Sequence, residues 1–244
     1  PGRQVQSVAE ASFDAWVKYY RQDENTANHT VSYYTKGSLV ALCLDLALRA
    51  AGQRSLDDVM RGLWTKSAGG PISEADVLAV VTRLGNADIA QQLQTWVHSR
   101  GDLPLQQLLA QHGINAKAEP AQLAQKLGLR VQENHSVQIK TVLRGGPAEQ
   151  AGIMAGDEWL AIAADGRRWR ISKLDDVTLY AGSSNPITAW VTRDRQILEL
   201  TLHLSPATAK PASEDADSAT AISNLGLEIS DKAAAERWLT GAAA

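Results

Sequence analysis

Over residues 1 to about 115, apolar positions recur at helical spacing in blocks parted by short polar breaks. The first strong block follows Gly37 and runs from Ser38 to Ala51. It closes at Gly52, a residue suited to the left-handed turn just past a helix end. Apolar residues go nearly all the way round this block, which predicts a buried helix. Asp45 and Arg49 lie four apart on one face of it and are placed to pair. Ser55-Leu56-Asp57-Asp58 offers a hydroxyl cap and an acidic first turn for a second helix through Val59, Met60, Leu63 and Trp64. Ser73-Glu74-Ala75-Asp76 repeats that start, and its pattern ends near Gly85. A further helix over Ala87 to His98 carries Ile89, Leu93, Trp96 and Val97 on one side. Pro104 begins a last short one, stopped by Gly113. Helix after helix predicts an α-helical bundle for this part.

The period changes after about Ala118. Val137 to Val142 alternates as a half-buried strand does, and Trp159 to Ile162, Ile187 to Thr192 and Ile197 to Leu204 supply three more. The last two are joined by Arg193-Asp194-Arg195-Gln196, a hairpin turn that lacks glycine. A short helix is expected around Leu174 to Tyr180, so the segment reads as α+β. Residues 205 to 220 are rich in Ser, Pro, Ala, Asp and Thr, the composition of a flexible linker. A helix from Lys232 to Leu239 follows, able to dock through Trp238. The expected fold class is therefore α followed by α+β: residues 1–117 helical, 118–206 α+β, 207–244 linker and short C-terminal helix.

Composition narrows the function classes. With 44% hydrophobic and 21% charged residues the chain is of ordinary globular make-up. Its net charge of −3, with 24 Lys and Arg scattered among 27 Asp and Glu, gives no basic stripe for a nucleic acid. No apolar run approaches the roughly 20 residues that a membrane helix needs. Neither nucleic acid nor membrane is an expected partner. Cys43, the one cysteine, sits in an apolar run as a small buried hydrophobe and leaves the compartment, cytoplasmic or periplasmic, open. The first residue is Pro1, so the chain is expected to be processed or cut from something longer.

The segment Arg144-Gly145-Gly146-Pro147-Ala148-Glu149-Gln150-Ala151-Gly152-Ile153-Met154-Ala155-Gly156-Asp157-Glu158 encodes a Gly-Gly turn, a brief helix opened by Pro147, and a Gly-Asp turn into a strand. It resembles the signature of bacterial PDZ domains. Such a domain implies capture of peptide C-termini by backbone N–H groups of an apolar-Gly-apolar loop, with the peptide added as an extra strand. Leu127, Gly128 and Leu129 stand where that loop belongs, flanked by Arg130. Gly128 reads equally as a helix C-cap.

Three further stretches go together: Ser12-Phe13-Asp14-Ala15-Trp16, Tyr33-Tyr34-Thr35-Lys36-Gly37 and Leu44-Asp45-Leu46-Ala47-Leu48-Arg49, continued by Ser55 to Met60. With the PDZ signature behind them they resemble the glycyl aminopeptidase family, from Pro1 to about Leu204. The resemblance implies the helical end of a thermolysin-like catalytic domain followed by a PDZ-like domain. It implies a zinc-dependent aminopeptidase that releases N-terminal Gly or Ala from peptide substrates. Tyr34 matches the tyrosine of a Tyr-x-Lys-Gly motif that faces the zinc in related enzymes, where its phenol would donate to the oxyanion formed at the scissile carbonyl.

The family's zinc motif, His-Glu-x-x-His, has no counterpart here. The histidines are His29, His98, His112, His135 and His203, no two of them four apart, and each is expected as a lone surface residue. The zinc ligands are expected upstream of Pro1, this chain is expected to hold no metal, and alone it is expected to be inactive. The competing reading is a non-catalytic scaffold whose PDZ domain recruits peptides. A Tyr-Thr-Lys-Gly motif has no use in a scaffold.

Overall fold

The computed structural model describes residues 1–52, 54–204 and 224–240. The proposed linker at 205–220 lies outside the described residues. Contacts divide the chain into two compact units. One holds residues 2–21, 29–117 and 226–244, and the other holds Pro1, 22–28 and 118–225.

The first unit begins with α1 (Gly2–Val5), α2 (Val8–Phe13) and a π-helical turn at Ala15–Tyr19. After α3 (Thr26–His29), most of which belongs to the other unit, come α4 (Tyr33–Ala51), α5 (Leu56–Ser67), α6 (Glu74–Leu84), α7 (Ala87–His98) and α8 (Leu105–Gln111). α4 is central. It buries Lys36, Val40, Cys43, Leu44 and Ala47 along one stripe, and Leu46 and Leu48 widen it. Against that stripe pack Val59 and Leu63 of α5, Val81 of α6, Ile89, Leu93 and Trp96 of α7, and Leu109 of α8.

Two expectations for α4 are corrected. The helix starts at Tyr33, five residues before Ser38, because the Ser32 hydroxyl accepts the Thr35 N–H at 3.2 Å and caps it. Gly37, read from the sequence as a break, lies within the second turn. At the other end Gly52 has φ 179°, an extended conformation and not the left-handed one. The Asp45–Arg49 pair forms at 2.8 Å, and Asp45 does more than expected of it. Its carboxylate also accepts the Leu56 N–H at 2.8 Å at the start of α5 and the Trp238 indole N–H at 3.2 Å from α12 (Lys232–Thr240).

His112 is a third correction. It is buried, with Nε2 2.9 Å from the Leu46 carbonyl oxygen, to which it donates. Its place after α8 turns the ring inward onto α4, where a carbonyl of the helix accepts the N–H. A two-stranded sheet, β1 (Ile114–Glu119) with β8 (Asn224–Ile229), was not anticipated in the sequence.

The second unit is a mixed one built on antiparallel strands in the order β2-β3-β4-β6-β7, with β5 paired to β4. The strands are β2 (Leu129–Glu133), β3 (Val137–Val142), β4 (Glu158–Ala164), β5 (Arg167–Arg170), β6 (Ile187–Arg193) and β7 (Gln196–Leu202). Short helices α9 (Leu123–Leu127), α10 (Pro147–Gln150) and α11 (Leu174–Ala181) complete it. Trp159, Ile162, Ile139, Leu127, Val177 and Val191 form its core. The β6–β7 hairpin turns on Asp194 and Arg195 at φ 51° and 66°. Both central residues are left-handed, as a type I′ turn demands, without the glycine that normally relieves it.

The Gly-Asp turn at the end of the glycine-rich segment is fixed by charge. Asp157 is fully buried, accepts the Met154 N–H at 2.9 Å, and takes Arg193 Nε and Nη2 at 2.8 Å each. Arg193 Nη2 also reaches the Gly152 carbonyl at 2.7 Å. The early segment 22–28 belongs to this unit through Asn28, whose side chain donates to the Val142 carbonyl and accepts the Arg144 N–H, both at 2.8 Å.

Candidate functional site

Four of the chain's five tyrosines meet at the start of α4. Tyr33 and Tyr34 occupy its first turn, and Tyr19 and Tyr20 come from the π-helical turn. That turn is defined by the Tyr20 N–H reaching back five residues to the Ala15 carbonyl at 3.0 Å. Such wide turns are rare and tend to mark functional places. Here the turn lets two adjacent aromatic residues face the same helix end. The Tyr33 and Tyr34 rings stack at 4.3 Å between centroids. Tyr19 meets Tyr20 and Tyr33 edge-on at 5.4 and 5.3 Å, and Trp16 lies 5.1 Å from Tyr20. Tyr19 Oη is 3.3 Å from the hydroxyl of Ser32, the residue that caps α4.

The hydroxyls form a short relay. Tyr20 Oη lies 3.0 Å from Tyr33 Oη and 2.9 Å from Tyr34 Oη. Tyr34 is 58% exposed, so its phenol faces open surface, and Phe13 and Trp16 of the same unit are exposed too. The Tyr20 hydroxyl first, and the neighbouring Tyr33 hydroxyl second, hold the Tyr34 phenol below the ordinary range. Tyr33 is pushed the other way, raised by its bond to Tyr20 first and by the nearby Tyr34 hydroxyl second. Of the two phenols in the first turn of α4, Tyr34 is thus the readier to carry negative charge or to give up its proton.

Lys36 anchors the same turn from beneath. It is buried, donates from Nζ to the Gly101 carbonyl at 2.9 Å, and burial lowers its pKa. Gly101 in turn donates its N–H to the Arg3 carbonyl at 2.8 Å, and Arg3 pairs with Asp102. The Tyr-Thr-Lys-Gly run therefore has an outward face, Tyr34, and an inward one, Lys36.

In the second unit Gly128 is the left-handed C-cap of α9, at φ 72°, with its N–H donated to the Gln125 carbonyl at 3.2 Å. That N–H is spent within the cap. Leu127 and Leu129 are buried, Arg130 is exposed, and Leu129 and Arg130 begin β2 opposite Val142 and Thr141. β2 lies at the edge of its sheet, so among the described residues one side of its backbone has no strand partner. Glu133 at its far end accepts the first N–H of α11, that of Leu174, at 2.7 Å.

Among the described residues no three His, Cys, Asp or Glu side chains gather as a metal ligand set. His98 is instead bonded to Glu74 at 2.7 Å and His29 to Thr30 at 3.0 Å. Tyr20 was not singled out from the sequence. The density of aromatic residues from Trp16 to Tyr20, matched by Tyr33-Tyr34, was the signal available.

Residues 1–40 match the family model described as M61 glycyl aminopeptidase. Among solved structures, an aminopeptidase N family protein from Idiomarina loihiensis superposes with a TM-score of 0.80 at 25% identity, over 98% of this chain and 41% of that one. The chain thus spans well under half the length of this relative. The PDZ domain of HtrA3 bound to a phage-derived ligand matches with a TM-score of 0.27 at 16% identity, over 37% of this chain and 88% of that one. No curated protein matches the sequence. No described helix is long and apolar enough to cross a membrane.

Proposed function

We propose that this chain, whose residues 1–40 match the M61 glycyl aminopeptidase family model, is the part of a zinc-dependent aminopeptidase that supplies the oxyanion-binding phenol, Tyr34, together with a PDZ-like peptide-binding domain. The zinc and its ligands are assigned to protein outside this chain, and this chain alone is inactive. The substrates are peptides with N-terminal Gly or Ala.

One observation carries this reading. Tyr34 is more than half exposed, on a helix start held from below by Lys36, with its hydroxyl in a relay that favours negative charge at that oxygen. A residue whose task was packing would bury its ring and merely wet its hydroxyl. An exposed and braced phenol can instead donate one hydrogen bond to an oxygen that becomes negative as the peptide carbonyl is attacked. Such a donor is worth ~10²–10³ in kcat when it acts in the transition state.

Tyr34→Phe in the complete peptidase tests the assignment. Cleavage of a glycyl-anilide should fall ~10²–10³-fold in kcat with KM little changed, since the lost bond exists only in the transition state. Unaltered turnover removes Tyr34 from the mechanism.

For the second unit we propose that a peptide with a free C-terminus adds to the open edge of β2, near Leu127, Gly128, Leu129 and Arg130. Because the Gly128 N–H is committed to its cap, the carboxylate is assigned to donors that follow it in β2. A fluorescent peptide ending in an apolar residue should bind the chain, and its C-terminal amide should bind at least about tenfold more weakly, a loss of roughly 1.4 kcal/mol. Equal binding of acid and amide would count against a carboxylate site.

A further inference from the structure

The relay of hydroxyls contains more than its end member. Each phenol has one proton to donate. Two hydrogen bonds link the three oxygens Tyr33, Tyr20 and Tyr34, with Tyr20 in the middle at 3.0 and 2.9 Å. Three protons serve two internal bonds, so one proton is left over, and it sits at one end of the row. If Tyr34 donated inward to Tyr20, its proton would be consumed and it could not serve an external oxygen. If the bonds run the other way, Tyr33 donates to Tyr20, Tyr20 donates to Tyr34, and the spare proton is that of Tyr34.

We propose that Tyr20 is a positioning residue for the aminopeptidase reaction: its hydroxyl donates to Tyr34 Oη and accepts from Tyr33, turning the Tyr34 proton outward toward the oxyanion. The assignment rests on the role given to Tyr34. Three observations support the direction. Tyr34 is the exposed end of the row that faces open surface. The contrasting acidities of Tyr34, lowered, and Tyr33, raised, fit a row in which Tyr34 oxygen receives bonds. Tyr20 is itself held at a defined place by the π-helical turn and by Trp16 and Tyr19 packed on its ring. Successive hydrogen bonds pointing one way also polarise each other, which strengthens the last donor in the row.

Sequence reasoning reached Tyr34 through its motif and did not single out Tyr20. The two are fourteen positions apart, and only the wide turn at Ala15–Tyr19 brings them together.

The test has two arms. In the first, tyrosinate absorbance of this chain is followed against pH for the wild type, Tyr34→Phe and Tyr20→Phe, each checked by circular dichroism for an intact fold. The earliest-ionising tyrosine should vanish in Tyr34→Phe and shift to higher pH in Tyr20→Phe. If Tyr20→Phe leaves that titration where it was, the proposal is overturned. In the second arm, Tyr20→Phe in the complete peptidase should lose about fivefold to tenfold in kcat on a glycyl-anilide, as expected for one neutral hydrogen bond, with KM nearly unchanged. Adding it to Tyr34→Phe should cost nothing further, because it acts through Tyr34. A full additional loss in the double variant overturns the relay. The two ideas fail separately: an active Tyr34→Phe enzyme sinks the oxyanion role, whereas an unmoved titration sinks the part given to Tyr20.

Discussion

Replacing Asp157 by Asn should unfold the sheet unit far more readily than its size suggests. The carboxylate is fully buried and accepts three hydrogen bonds: two at 2.8 Å from the Arg193 guanidinium and one at 2.9 Å from the Met154 N–H. Asparagine keeps the shape but exchanges one acceptor oxygen for an NH₂ that faces donors, and it removes the negative charge. Arg193 then keeps the Gly152 carbonyl and at most one amide oxygen, with no carboxylate to balance its charge. Breaking a buried ion pair from one side costs about 3–5 kcal/mol. The Arg193 side chain is 26% exposed, so water recovers part of the loss and the lower end, about 3 kcal/mol, is expected. For a unit of roughly 100 residues that is a fall in Tm of about 12–24 °C. Near-ultraviolet circular dichroism through the buried Trp159 reports the unit's own transition. The double variant Asp157→Asn/Arg193→Met should recover part of the loss, because the stranded charge is gone. A change below about 1 kcal/mol for Asp157→Asn would show that the pair contributes little and that the turn is held by its glycines alone.

Cys43 should resist thiol reagents in the native chain at neutral pH and react fully after unfolding, because burial pushes its thiol up to about 11. Prompt labelling without denaturant would contradict its place in the core. Lys36 gives a pH signature: burial lowers its pKa, so between that lowered value and the ordinary lysine range the unfolded chain holds more protons than the folded one. Stability contributed by this group therefore rises with pH across that window, and Lys36→Met should flatten the rise in denaturant titrations run at several alkaline pH values. Parallel curves for the two proteins would refute the assignment.

Much of the helical unit was legible because its signals are local. α7 carries a cap at Asn86, an apolar stripe through Ile89, Leu93 and Trp96, and an end at His98, all within one short window. Gly37 misled because a glycine near a helix start looks like a boundary, whereas the cap that decides the matter is Ser32, one residue before the tyrosines. His112 could not be placed, since its burial depends on a carbonyl 66 residues away. β5 was missed for a different reason: Arg167-Arg168-Trp169-Arg170 has no alternating apolar face and becomes a strand through its pairing with β4. The candidate site divides the same way. Tyr34 was readable from a contiguous motif, and its neighbours from across the loop were not.

Asp45 touches three stretches of chain, and one of them, α12, is reached only after the whole β2–β7 sheet has been synthesised. On a ribosome the helical unit must wait, its Asp45 carboxylate lacking the Trp238 indole, while the intervening residues 118–225 emerge. A truncation ahead of residue 224 would look like trimming a tail, yet it would take away the strand that pairs with β1 and the indole that bonds Asp45.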